Sequence, residues 1–547
     1  MSGSGNSRRM VVAIAVTVGL LAGACGSSKG GQSSSTVDNN GAAADGGTPV
    51  DGGSVVLGVA SETSGWNPHR NQWAPTGSLV ASSVLEPLAT MGENNGAKPW
   101  LATSWIANET FDRWQISLRT DVTFQNGEPF NAAAAKANID DAANGPLSGA
   151  ALKELFKQVD IVDDHTVLVQ LTQPWAAFPS SFLDGQSAMM MAPSTLTSSD
   201  HGEAHPIGTG PFTFASWEPG AAFRTVKNPN YWQKGLPHLD SLEFRVLSDN
   251  ASRAAALQTG DINMMMTIDA PTATKLEGSY TEIKDWATEP GSIILNTAAT
   301  ANGKPNPLNN IHARRALAYA TDRQAVAASQ GDGVLSPSSP FSPNNPWGLP
   351  EDQNNYPAFD PAKAAEEVAA YKADTGASSL DFSLSGVPDV DTVKLLQIVQ
   401  SQWETAGIHA HIESVEAANY ITQVVAGNFN AALFQVYSSP DPDQNHYFWS
   451  KDTIQGPGGV NINFNQYSTP EIEQDLVTGR QSGFPDQRKQ AYHDLVRRRN
   501  DAVADIWVYW TPYTLIADSK VHGFETPQKI AWANFQPKTW LGELWRQ

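Results

Sequence analysis

Along WQISLRTDVTFQNGEPF, residues 114–130, apolar Trp114, Ile116 and Leu118 alternate with polar Gln115, Ser117 and Arg119. A period of two is the pattern of a half-buried strand. Asp121 permits a turn, Val122-Thr123-Phe124 continues as a second short strand, and Asn126-Gly127 supplies a pair that tolerates positive φ. The chain then enters AAAAKAN, for which Asn131 is the natural N-cap. Met264-Met265-Met266, after GDIN, predicts a buried strand, Met being an adaptable core filler. In RRALAYATDRQAV the apolar Ala316, Leu317, Ala320 and Val326 fall near one face of an amphipathic helix. IHAHIES reads as a strand in which His409 and His411 share a face.

The first 25 residues follow a different grammar. Arg8 and Arg9 precede an apolar run from Met10 to Leu21, then small residues Ala22-Gly23-Ala24, then the sole cysteine, Cys25. This is the layout of an export signal. Cys25 resembles the lipidated cysteine of a bacterial lipobox, with Leu21 four places before it where three is usual. The plainer alternative is a secreted protein cut near Ala24, and the arginine pair also suits the twin-arginine route. Stable anchoring takes more than one acyl chain, since each buried CH₂ contributes about 0.8 kcal/mol. Residues 26–52 are Gly, Ser, Asn and Asp with little to bury, the composition of a disordered tether.

At 547 residues and 40% hydrophobic content, the chain has material for roughly two or three domains. Its net charge of −21 repels phosphate backbones, which argues against nucleic acid as a partner. No apolar run after Cys25 approaches the ~20 residues of a spanning helix. HExxH, CxxC, GxxxxGK[ST] and SxxK are all missing, so no enzyme and no cofactor is expected. His409 and His411 lack further metal ligands at suitable spacing. Asp441 and Asp443 could be paired carboxylates, but Pro440 and Pro442 around them describe a turn.

KPWLATSW followed by WQISLRTDVTFQNGEPFNAAAAKAN resembles the hallmark segment of the family 5 extracellular solute-binding proteins, the dipeptide, oligopeptide and nickel receptors of ABC importers. Pro99, Leu101, Ala102, Ser104, Trp105, Leu118, Arg119, Val122, Phe124, Gly127, Pro129 and Ala132 carry the match. GTGPFTFASWEPG, the NPNYW stretch with its strand and helix to GDIN, ILNTA with RRALAYATDRQAV, and LLQIVQSQWETAGIHAHIES follow in family order. The resemblance implies an α/β fold of the two-lobed periplasmic-binding-protein type (type II, cluster C) with an inserted domain. Domain I would take 53–90, 205–285 and 505–547, domain II 91–204, and domain III 288–504. The hinges would be Asp285–Asn296 and Ala504–Pro512. The opening stretch would then be scaffold of the insertion.

The resemblance further implies a monomer, exported and lipid-anchored at Cys25 to the outer face of the cytoplasmic membrane, that closes on a small-molecule ligand and serves ABC permease subunits. A peptide is the first expectation. Family peptide binders hold the ligand amine with an Asp just after an aromatic strand, which a one-residue shift places at Asp441, beside Tyr437 and Ser438. Backbone of Glu289, Pro290, Gly291 and Ser292 is expected to meet ligand, and Glu289 could instead receive a cationic group. Trp66, Trp449 and Trp510 lie where the cleft would be, as does Trp507, and 17 tryptophans keep an oligosaccharide open. An anchored hydrolase is the third reading.

Overall fold

The computed structural model describes residues 47–92, 95–146, 149–286, 288–435, 439–456, 458–524 and 539–547. Cys25 and most of the tether lie outside these residues.

The opening pattern folds as its period predicts. Strand Arg113–Leu118 buries Trp114, Ile116 and Leu118 and turns Arg113 and Gln115 outward. Val122-Thr123-Phe124, expected as a strand, contributes only a single bridge, Thr123 to Pro129. The turn closes too soon for more. Gly127, at φ +87°, donates to the Phe124 carbonyl, and Phe124 N–H bonds Glu128 O at 2.8 Å. Asn131 Oδ1 then accepts from Ala134 N–H at 3.0 Å and starts helix Ala132–Asn144. This helix packs beside an antiparallel sheet ordered 102–107, 113–118, 166–171, 156–163.

Two larger sheets carry the rest. The seven-stranded sheet runs in the order 212–218, 222–227, 241–246, 54–59, 264–267, 513–517, 281–285. Its central Ser54–Val59 is parallel to both neighbours, and Met264–Thr267 is fully buried. The five-stranded sheet is ordered 408–414, 380–386, 431–435, 290–295, 505–510. Leu380–Gly386 and Ile408–Ser414 are parallel strands joined by helix Val390–Thr405, as a βαβ unit requires. That helix buries Trp403, whose Nε1 donates to Thr321 Oγ1 at 2.9 Å. RRALAYATDRQAV is two helices, Ile311–Ala320 and Arg323–Ala328, where the apolar period suggested one. Asp322 breaks it, because its carboxylate caps Ala325 N–H at 3.0 Å and starts afresh.

The chain crosses between the two large sheets twice. The first crossing is 286–289, between Thr281–Asp285 and Pro290–Leu295. The second is 511–512, at the end of the expected hinge Ala504–Pro512. Asp505–Trp510 pairs with Pro290–Leu295 in the five-stranded sheet, so the return to the large sheet follows Trp510 rather than preceding Asp505.

Glu86 ties the insertion to the large-sheet lobe. Its buried carboxylate accepts from Trp100 Nε1 (2.9 Å), Tyr231 OH (2.6 Å), Thr209 Oγ1 (2.8 Å) and Trp232 Nε1 (3.1 Å). Trp100 and Thr209 come from the two connections of the inserted segment, Tyr231 and Trp232 from the large-sheet lobe. Burial pushes the carboxyl up to about 7 against the pull of these four donors.

Candidate functional site

In the five-stranded sheet, Leu380–Gly386 and Ala431–Gln435 end on the edge where Pro290–Leu295 begins and Asp505–Trp510 stops. Both crossings leave from this edge. Open α/β sheets bind ligands outside the carboxyl ends of their parallel strands, so the edge facing the crossings is the candidate site.

Glu289 is its most unusual member. The side chain is 1% exposed. Oε2 accepts from Tyr513 OH at 2.8 Å, while Oε1 is buried with no partner among the described residues. Burial pushes the carboxyl up to about 7, with the Tyr513 bond pulling weakly the other way. Tyr509 stands beside it. Burial drives its phenol up to about 12, and the charges of Glu289, Asp389 and Asp391 add to the shift. The ring lies so close to Gly291 that a Cβ there would come within 3.1 Å of it, which is why that position has no side chain. Gln435 Nε2 reaches Thr511 Oγ1 at 3.3 Å, and Thr511 N–H holds the Glu289 carbonyl at 2.8 Å.

The backbone from Glu289 to Ser292 is not open to a ligand as expected. Pro290, Gly291 and Ser292 belong to a strand flanked on both sides, Gly291 opposite Gln435 and Tyr509 and Ser292 opposite Phe434 and Trp507. Sheet pairing on both sides, with a bulge between Gly291 and Ser292, occupies this backbone, and Pro290 has no N–H to offer. The Ser292 hydroxyl is buried and has no partner among the described residues.

Asp441, expected to await a ligand amine, already has a cation. Arg488 Nη2 lies 2.7 and 2.8 Å from its two oxygens, and Ser180 Oγ donates to Oδ2 at 2.6 Å. Neighbouring Asp443 accepts from Trp175 Nε1 (2.6 Å) and Arg480 Nε (2.8 Å). Burial is the largest influence and alone would raise the Asp443 carboxyl, but the Arg480 charge and hydrogen bond, with His446 and Arg488, together hold the group below the usual range. Gln444 Nε2 adds a bond to Ser180 O at 2.7 Å. Segment 175–184 of the insertion is thereby clasped to segment 441–444 of the five-stranded lobe. Asp184 completes this clasp, its carboxyl raised by burial and by the Asp441 charge. The turn reading of Asp441 and Asp443 holds only in part, because both carboxylates are structural ions as well.

The tryptophans are spent on packing. Trp66 is 1% exposed and lies 4.4 Å from Phe223 and 5.6 Å from Trp217, in the core of the large-sheet lobe. Trp449 packs edge-on against Phe341 at 6.0 Å, with the Arg499 guanidinium 5.9 Å from its ring. Trp507 donates to Asn500 Oδ1 at 3.3 Å, and Trp510 is buried beside Pro290. Between Trp449, Trp507 and Arg499 remains a void of only about 10 Å³, space for about one water. Tyr437 and Ser438 fall outside the described residues. His409 and His411 are exposed on their strand, and the described residues hold no group of three or more His, Cys, Asp or Glu placed for a metal. No described helix is long and apolar enough to cross a membrane.

Tyr509, Tyr513, Gln435, Asp389 and Asp391 were not singled out from sequence. Only Tyr509 left a trace, as a polar-tipped ring alternating within DIWVYW.

Residues 96–457 match the family described as bacterial extracellular solute-binding proteins, family 5 Middle. The glutathione-binding protein GsiB of Salmonella choleraesuis (strain SC-B67) is 28% identical over 457 residues, covering 80% of this chain and 85% of that protein. Among solved structures, the fold resembles the oligopeptide-binding protein AppA from Bacillus subtilis in complex with a nonapeptide. The TM-score is 0.76 at 20% identity, over 91% of this chain and all of AppA. It also resembles the periplasmic binding protein DppA from Helicobacter pylori in complex with the peptide STSA. There the TM-score is 0.75 at 20% identity, over 91% and 98% of the two chains.

Proposed function

Because the chain belongs to the bacterial extracellular solute-binding proteins of family 5, we propose that it captures peptides or peptide-like solutes between two closing lobes and delivers them to an ABC permease. It is a receptor and makes or breaks no covalent bond. The observation that carries this reading is the sheet edge at the two crossings, where Glu289, Gln435 and Tyr509 gather beside a small apolar cluster of Ala270, Ala327 and Val334. The peptide complexes of AppA and DppA, and the name of GsiB, support the ligand class. The oligosaccharide reading loses its footing, since Trp66, Trp449, Trp507 and Trp510 are core side chains. A ligand that bridges the lobes favours the closed arrangement, and shifting it from 1:99 to 99:1 takes about 5.5 kcal/mol of differential binding.

Native mass spectrometry of the purified protein is expected to show a peptide-sized passenger. A bound glycan, or a metal ion alone, would defeat the peptide assignment. A peptide supplied at 100 times its dissociation constant should add about 2.7 kcal/mol of stability.

We place the chain on the outer face of the cytoplasmic membrane, held through lipidated Cys25 and the 26–52 tether, with one lobe pair acting as a monomer. Cys25→Ser is expected to move the protein from the membrane fraction to the soluble one. Equal membrane retention by the variant would rule the anchor out.

A further inference from the structure

We infer that Glu289, at the sheet edge beside Tyr509, forms a subsite for a positively charged group of the solute, an ammonium or a guanidinium. The inference rests on the reading in which the solute is held between the lobes.

Three observations lead to it. First, several of the most buried carboxylates have charged or multiple donors. Glu86 has four donors, Asp441 has Arg488, Asp443 has Arg480, and Asp505 has Arg499 Nη2 at 2.9 Å. Asp184 is under-supplied, but Gln444 and Asp441 close over it in the clasp. Among the described residues Glu289 has a single neutral donor, Tyr513, and no basic side chain acts on it. Second, its unpartnered oxygen is buried on a crossing between the lobes, at the sheet edge where a ligand would sit. Third, the approach is acidic. Asp389 and Asp391 are exposed at the start of helix Val390–Thr405, and both act on the Tyr509 hydroxyl that flanks Glu289.

A carboxyl buried without a counter-charge prefers to hold a proton, consistent with the rise to about 7. A ligand cation arriving at Oε1 replaces that proton and supplies the missing partner. The outer aspartates attract the same charge through solvent before it is desolvated. Tyr513 keeps its bond to Oε2 throughout and so fixes which oxygen faces the ligand.

Titration calorimetry with three tripeptides tests this: free-amine Ala-norleucine-Ala, N-acetyl-Ala-Lys-Ala, and N-acetyl-Ala-norleucine-Ala, which carries no cation. Wild type is expected to bind at least one cationic peptide ~10-fold or more tighter than the uncharged one. Glu289→Gln, which can still accept from Tyr513, should lose that preference while melting no lower than wild type without ligand. If wild type binds all three alike, or the variant keeps the preference, the subsite is overturned and the receptor reading stands. A large fall in the unliganded melting temperature of the variant would give Glu289 a structural role and also overturn it. If none of the three binds, the peptide reading itself falls and takes the subsite with it.

Discussion

Arg488→Ala is expected to cost about 3–5 kcal/mol of folding stability, the range for stripping one partner from a buried ion pair. The guanidinium faces both oxygens of Asp441, which is 1% exposed, donates from Nε to Gly479 O at 2.6 Å, and lies 4.9 Å from the centre of the Trp347 ring. Once it is removed, Asp441 keeps only Ser180 Oγ and the Asp443 N–H at 3.0 Å. Neither carries a charge, and raised Asp184 already occupies the adjacent space. The double variant Arg488→Ala with Asp441→Asn should recover much of the loss, because the stranded charge goes with its partner. Urea unfolding of the two singles and the double measures this coupling. A loss below about 1 kcal/mol, the range of exposed pairs, would show that the clasp is open to water.

Glu86→Ala is expected to cost about 4 kcal/mol or more. Four donors lose their acceptor together, and a buried unsatisfied polar group costs about 1–3 kcal/mol. The effect should be local in its first consequence, since Trp100 and Thr209 belong to the two connections of the insertion while Tyr231 and Trp232 belong to the large-sheet lobe. Limited proteolysis should therefore find new cuts near residues 87–100 and 205–210 before general unfolding. Glu86→Gln keeps the volume but turns an NH₂ toward two of the donors, so its loss should be intermediate. Unchanged proteolysis in Glu86→Ala would mean that packing alone holds the insertion.

What the sequence disclosed was mostly local. The alternation of Trp114, Ile116 and Leu118, the Asn131 cap and the Met264–Thr267 strand depend on neighbours a few residues away, and each is present. Asp322 was a readable cap overlooked because the apolar period ran past it. Asp441 failed for a different reason. Counting from an aromatic strand finds a carboxylate, yet its partner Arg488 stands 47 positions later, and nothing local announces that pairing. Tryptophan content misled in the same way, since burial of Trp66 depends on Trp217 and Phe223 arriving from a distant hairpin. Glu289 was visible as a carboxylate on a crossing. Its lack of a cation was not, because an absent partner leaves no mark in the sequence.

The placement of strand Tyr513–Ala517 between Met264–Thr267 and Thr281–Asp285 has a consequence for biogenesis. Among the described residues Thr281–Asp285 pairs only with that late strand, so the large sheet stays incomplete until residues 513–517 have left the ribosome. Such distant pairing forms slowly. The largest sheet therefore cannot lock shut before Tyr513–Ala517 has been made.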